Sequence, residues 1–177
     1  MEILYWAIGV VTGAVGVLMC STYKLYQEYQ HALRFIENCG YLLQMKSCCV
    51  KHGAEGVHVA VELDGIQLSQ KRMKYFESFV LHVMNGDERG PTIISMRTAE
   101  ESTEPFVPYF DANKLHEWLS SSISTAIELM QKYHTLNIVS KLFLRRTYNQ
   151  LDEQYDKIQP KSYELAHSDE RFVCFFN

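Results

Sequence analysis

The feature that most constrains this chain is a stretch without charge near its N-terminus. No Asp, Glu, Lys or Arg occurs from Ile3 to Tyr23, a run of 21 residues. As a helix that rises about 1.5 Å per residue, this run would reach roughly 30 Å, which matches the hydrocarbon core of a bilayer. Aromatic residues lie near both ends, as they do in many membrane-spanning helices. The pattern predicts a single transmembrane helix over residues 1–23.

The residues around this run favour an uncleaved signal anchor over a cleaved signal peptide. The N-terminal flank carries Glu2 and no basic residue, whereas Lys24 and Arg34 follow the run. This distribution of positive charge predicts that the bulk of the chain lies in the cytosol. Five cysteines without the spacing of a disulfide framework agree with that compartment. The predicted location is therefore a membrane that the chain crosses once.

Small residues recur along one face of the predicted helix. Gly9, Gly13, Gly16 and Cys20 are separated by four, three and four positions. Small residues at this spacing let two helices approach closely, so they predict self-association or pairing with another membrane helix. The alternative is that glycine is simply common in membrane helices. Cys20 is also a candidate for acylation, because it falls at the predicted membrane boundary.

Residues 24–52 are predicted to form a membrane-proximal helical stalk. The segment contains no Pro and only one Gly before position 53. Apolar and small residues recur at steps of three and four, as in a heptad seam. The seam consists of Thr22, Leu25, Tyr29, Ala32, Ile36, Cys39 and Leu43. Two interpretations remain open, a parallel oligomer or a helix that packs on its own downstream domain.

Alternating and apolar segments predict an antiparallel sheet after the stalk. Val57–Leu63 alternates apolar and polar residues, and Asp64-Gly65 is a hairpin signal before a second alternation at 66–68. Tyr75–Met84 predicts a third strand or, alternatively, a short buried helix. Pro91–Met96 predicts a fourth strand. We expect about four strands between residues 57 and 98.

Two helices and an apolar tail complete the predicted domain. One helix is expected over 112–134 with Asp111 as its N-cap, and a second over 136–158. The apolar positions of the second helix are Val139, Leu142, Phe143, Leu151, Tyr155 and Ile158. The tail at 172–176 should be held as an edge strand or against a partner. The predicted fold class is α+β, with residues 53–177 forming a two-layer domain.

Charge and motifs limit the function that can be predicted. A net charge of −4 and a pI of about 6.0 disfavour binding to nucleic acid. The sequence holds no phosphate-binding loop, metal-ligand motif or hydrolase motif, and no cofactor or metal is predicted. The weak catalytic candidates are Cys49 and His52, which would lie one helical turn apart beside Lys46 and Lys51. The neighbouring Cys48 belongs to the same cluster, and plain structural thiols are the alternative.

The order of predicted elements resembles type IV pilins, which also join an N-terminal apolar helix to an antiparallel sheet. The sequence departs from that family because no short basic leader ending in Gly precedes the apolar run. Holins with one membrane helix share the layout as well. Such likenesses do not transmit function. The predicted function is a membrane-anchored assembly protein that contacts lipid, self-associates and presents its domain to a protein partner. The alternatives are a tethered thiol enzyme using Cys49 and His52, or an oligomeric, holin-like pore.

Overall fold

The computed structural model describes residues 2–54, 56–85, 93–94, 104–107, 109–166 and 172–174. Its main elements are four helices, α1 (Glu2–Leu42), α2 (Gln70–Met84), α3 (Ala112–Thr135) and α4 (Ile138–Ala166). An antiparallel hairpin of β1 (Met45–Gly53) and β2 (Gly56–Leu63) lies between α1 and α2. Three shorter strands, β3 (Ile93–Ile94), β4 (Tyr109–Asp111) and β5 (Phe172–Cys174), form a second antiparallel sheet in that order.

The C-terminal half of α1 packs against α3 and α4 and forms the centre of the protein. Its buried residues include four of the predicted seam and two that lie off it: Tyr29, Ala32, Ile36 and Cys39 in the seam, and Leu33 and Leu42 off it. The Tyr29 hydroxyl donates a hydrogen bond to the backbone carbonyl of Leu129 in α3. Of the two interpretations of this seam, packing on the downstream part of the same chain is confirmed.

Helix α3 begins where the sequence predicts it. The Asp111 carboxylate accepts hydrogen bonds from the backbone N–H groups of Asn113, at 3.0 Å, and Lys114, at 3.3 Å. Two of the otherwise unpaired donors of the first turn are therefore satisfied, which confirms the predicted N-cap. Helix α4 follows after a two-residue connection and packs against α3. The buried core residues of the two helices include Leu115 and Leu119 in α3 and Leu144, Leu151 and Ile158 in α4.

The pairing of β1 with β2 extends to Gly53 and Gly56, which face each other at the end of the hairpin. Gly56 has φ +121°, a backbone conformation that side-chain-bearing residues rarely adopt, so glycine suits this position. The predicted strand over Val57–Leu63 is confirmed, because these residues form most of β2. Strand β1 also pairs with a residue outside the hairpin, because Cys48 and Phe106 exchange backbone hydrogen bonds of 3.0 and 2.9 Å.

The predicted α+β class, with about four antiparallel strands over 57–98 in a two-layer domain, is wrong. The described residues form a mostly helical protein with a two-stranded antiparallel hairpin. Residues 45–52, predicted as part of the helical stalk, belong to β1 and pair with β2 instead of extending α1. The Asp64-Gly65 pair leads into α2 and does not close a hairpin. Segment 75–84 is helical, as the alternative interpretation held.

Helix α2 forms because its local signals favour a helix over a strand. The Ser69 side chain accepts a hydrogen bond from the backbone N–H of Arg72 at 3.5 Å and caps the first turn. Phe76, Val80 and Val83 are buried at steps of four and three, which place them on one helical face. A dense apolar run of this length is ambiguous by composition alone.

The two remaining predicted strand segments, at 91–96 and 172–176, contribute β3 and β5 to the second sheet. Within the predicted strand at 91–96, Ile93 and Ile94 form β3, and the other positions lie outside the described residues. The tail is held as an edge strand, because Phe172–Cys174 pairs with β4 at the side of the sheet. This confirms the prediction for the tail, of which residues 175–177 lie outside the described residues.

The prediction of a transmembrane signal anchor is wrong. In the part of the chain that the structure describes, no helix combines the length and the hydropathy needed to cross a membrane. The predicted single-pass membrane location, with a cytosolic bulk domain, is overturned by the same finding.

Candidate functional site

The cysteine and histidine of the predicted thiol pair lie on a strand, not on a helix. Cys49 is opposite Ala60 and His52 is opposite Val57 in the β1–β2 register. Side chains alternate between the two faces of a strand, so residues three positions apart point to opposite faces. Cys49 is buried, whereas His52 is exposed. The structure does not bring the thiol and the imidazole together as a nucleophile and its base.

The lysine expected to favour a thiolate is engaged elsewhere. The Lys46 ammonium forms an ion pair with the Glu62 carboxylate at 3.0 Å, and the Ser47 hydroxyl donates to the second carboxylate oxygen at 3.0 Å. These hydrogen bonds hold the pKa of the Glu62 carboxyl below its usual value. Lys46 therefore interacts with β2 across the hairpin.

Two of the other thiols are structural. Cys48 and Cys39 are almost fully buried, and burial raises the pKa of each to about 12. The Cys39 sulfur lies 3.3 Å from the Ser122 hydroxyl, which donates to the Trp118 carbonyl at 2.8 Å. Thiols in this environment stay protonated at neutral pH and are poor nucleophiles and metal ligands. Among the described residues, no group of three or more His, Cys, Asp or Glu is arranged to hold a metal ion.

The small-residue stripe of Gly9, Gly13, Gly16 and Cys20 lies on the outer part of α1. A Cβ atom added at any of the three glycines would meet nothing within 4 Å. Cys20 is a free, exposed thiol, so its predicted acylation remains a prediction. The stripe is therefore open to solvent, and a second helix would find room against it.

Large apolar side chains are exposed around the same part of α1. Trp6 is 76% exposed and Val17 71% exposed. Among the α1 residues whose burial the structure describes, the exposed large apolar side chains are Trp6, Val10, Val11, Val15, Val17, Leu18, Met19 and Tyr23. At 100° per residue these positions point in nearly all directions from the helix axis. A helix that is apolar all round is normally buried against other structure.

The first turns of α4 extend this exposed surface. Ile138, Val139, Leu142 and Phe143 are all more than half exposed. The Phe143 ring contacts the Tyr26 ring edge to face, with centroids 5.4 Å apart. The Ser140 hydroxyl lies within hydrogen-bond distance of the Thr22 hydroxyl at 3.0 Å. We call the exposed α1 set together with these four α4 residues the apolar tip.

The sequence analysis does not predict that the α4 residues of the apolar tip are exposed. Val139, Leu142 and Phe143 are among the apolar positions predicted for this helix, yet they are exposed and Leu144 is buried. The available signal is the density of apolar residues at 138–144, which exceeds what one buried stripe requires. Contiguous exposed apolar patches of this kind mark interaction sites on proteins.

Comparison with protein-family models, with curated proteins and with solved structures gives no match for this chain. The functional inference therefore depends on the surfaces of the molecule alone.

Proposed function

We propose that this protein is an assembly protein whose copies associate through the apolar tip. The observation that carries the proposal is the exposure of eight large apolar side chains on one half of α1, beside four more on α4. Leaving such a surface in water is unfavourable, because burial of apolar area is the main favourable term in protein association. Association removes this surface from water without any change to the core.

A second copy of the chain is the occupant that the stripe favours. Gly9, Gly13 and Gly16 present backbone without side chains along one side of the tip, with open space beyond them. Two such stripes are complementary to each other, as an isologous two-fold interface requires. Close backbone approach there would bring Val10 and Val17, which flank the stripe, against the partner helix.

The α4 contribution makes the tip a preformed surface. The contacts between Thr22 and Ser140 and between Tyr26 and Phe143 fix the start of α4 against α1. Association then needs little ordering of new backbone, which lowers its entropic cost. The helical body around Tyr29 remains outside the interface and is the part presented to a further protein partner.

The decisive experiment compares Gly13→Leu with Val11→Leu by analytical ultracentrifugation over a range of concentrations. Leucine at position 13 fills the stripe, whereas leucine at position 11 enlarges a side chain on the opposite face of α1. Replacing Gly by Leu favours the helix by about 0.5–1 kcal/mol, so loss of association cannot be ascribed to unfolding. We expect Gly13→Leu to weaken the oligomer at least about tenfold, and Val11→Leu to resemble the wild type.

The native Cys20 supplies a second readout. Because Cys20 continues the stripe, parallel copies place two Cys20 thiols near each other, and mild oxidation should give a covalent dimer that Gly13→Leu reduces. A monomeric wild type at every concentration would overturn the proposal. Flotation of a monomeric protein with phosphatidylcholine vesicles would likewise overturn it and assign the tip to lipid.

A further inference from the structure

A groove between α1 and α2 lies apart from the apolar tip. Its cavity volume is about 680 Å³. Small-molecule sites in proteins usually occupy about 300–1,000 Å³, so the groove has the size of a ligand site. Residues from the C-terminal part of α1 and from along α2 line it.

Cationic side chains line this groove. Arg34 and Lys71 line it and are exposed. Among the described residues, neither of these two forms an ion pair within 4 Å. The acidic residue of the lining, Glu37, is already paired with Arg72 at 3.6 Å. The groove therefore offers a positive potential to an incoming anion.

The interior of the groove is aromatic. Phe35 and Phe79 line it, and both rings rest on Trp118 behind them. The Phe35 ring meets Trp118 edge to face with centroids 5.1 Å apart, and the Phe79 ring stacks on Trp118 at 5.7 Å. These contacts hold the wall in place, so an apolar group entering the groove finds a formed surface.

A hydroxyl completes the polar side of the groove. Tyr41 lines the cavity near Arg72 and Glu37. Burial raises the pKa of Tyr41, and the Glu37 carboxylate raises it further while Arg72 opposes the change. The phenol therefore remains protonated at neutral pH and can donate a hydrogen bond to an acceptor in the groove.

We propose that this groove binds a small anionic amphiphile, a carboxylate or phosphate attached to an apolar body. The anionic head lies near Arg34 and Lys71, and the apolar body lies against Phe35 and Phe79. An anionic head group is favoured because two exposed side chains of the lining, Arg34 and Lys71, are cationic and form no ion pair with the described residues. The size of the cavity favours a small molecule over a macromolecular partner.

The test follows Trp118 fluorescence. The chain has two tryptophans, so Trp6→Phe leaves Trp118, which backs the aromatic wall, as the sole reporter. The probes are dodecanoate, dodecyl phosphate and dodecanol, each below the concentration at which it aggregates. We expect saturable binding of both anions, and binding of the alcohol weaker by at least about tenfold because it lacks the charged head. The two anions distinguish a carboxylate ligand from a phosphate ligand.

Matched charge variants locate the site. Arg34→Ala combined with Lys71→Ala should weaken both anions at least about tenfold. Arg145→Ala combined with Arg146→Ala removes the same charge from exposed positions of α4 and should leave affinity within about twofold. Equal affinity for alcohol and anions, equal affinity of the two double variants, or no saturable change would each overturn the proposal. Gly13→Leu should bind with wild-type affinity, which keeps this test independent of the proposed assembly.

Discussion

The Tyr29 hydroxyl donates its hydrogen bond to the Leu129 carbonyl across 100 positions of the sequence. The bond joins the middle of α1 to α3 at the level where α1 passes from exposed to buried surroundings. On the N-terminal side, Trp6 to Tyr23 expose large apolar groups, whereas Tyr29 itself is fully buried. One continuous helix thus serves as core on one side of this contact and as interaction surface on the other.

Removing this hydroxyl should lower the stability of the protein. We expect Tyr29→Phe to reduce the free energy of unfolding by about 1 kcal/mol, the usual net contribution of one hydrogen bond, because the ring packing is kept. Urea denaturation followed by circular dichroism measures the change. Tyr75→Phe, at a residue that is 65% exposed, is the matched control and should change stability by less than about 0.5 kcal/mol. Identical midpoints for Tyr29→Phe and the wild type would contradict the role of this contact.

Alkaline pH should destabilise the fold through its buried thiols. Burial raises the pKa of Cys39 from 9.0 to about 12, so between these values the unfolded chain loses the thiol proton while the folded chain keeps it. The unfolded state binds fewer protons, and stability therefore falls as pH rises from about 9 to 12. One such group contributes a slope of at most about 1.4 kcal/mol per pH unit.

The Cys39→Ala variant isolates this effect. Urea midpoints measured under reducing conditions between pH 8 and 11 should fall less steeply in the variant than in the wild type. Some slope will remain, because burial also raises the pKa of Cys48 and Tyr29 to about 12. Parallel slopes in the two proteins would show that Cys39 does not titrate differently on unfolding.

Local signals explain which elements the sequence predicts. Helix α3 combines a capping aspartate with a sustained apolar periodicity, and both features act within the helix itself. Strand β2 shows the period of two that a half-buried strand needs. The failures depend on distant partners. Residues 45–53 lack a clear period, and their strand forms through pairing with β2 and with Phe106.

The interaction surface is harder to predict than the core because exposure depends on docking. Leu142 is 69% exposed and Leu144 is fully buried, because residues two positions apart lie about 200° apart around a helix. Which of them faces inward depends on the rotation of α4 about its axis relative to α1. The amino-acid composition of α4 does not predict that rotation. The small-residue stripe of α1 is visible in the sequence, which predicts a membrane around it, whereas the structure places it on the exposed half of a helix.

Thiol labelling should distinguish the exposed cysteine from the buried ones. Cys20 is exposed, whereas Cys39 and Cys48 are almost fully buried. With a maleimide at pH 7.5, we expect Cys20 to react at least roughly a hundredfold faster than either buried thiol, which requires opening of the core. Peptide mass spectrometry identifies the modified residue at each time. Early modification of Cys39 would contradict its place between α1 and α3.

Two leucines of α4 offer a matched test of the core and the apolar tip. Leu151→Ala should cost about 3 kcal/mol, because Leu151 is fully buried and its loss leaves a cavity. Leu142→Ala removes the same atoms from a residue that is 69% exposed and should cost less than about 0.5 kcal/mol. Both changes lie inside one helix, so the effect of alanine on helix propensity is common to both. Thermal unfolding separates them, since about 3 kcal/mol corresponds to a shift of about 6–12 °C for a chain of this length. If Leu142→Ala proved the more destabilising, α4 would have to face α1 through its other side, and the apolar tip would lose its second helix.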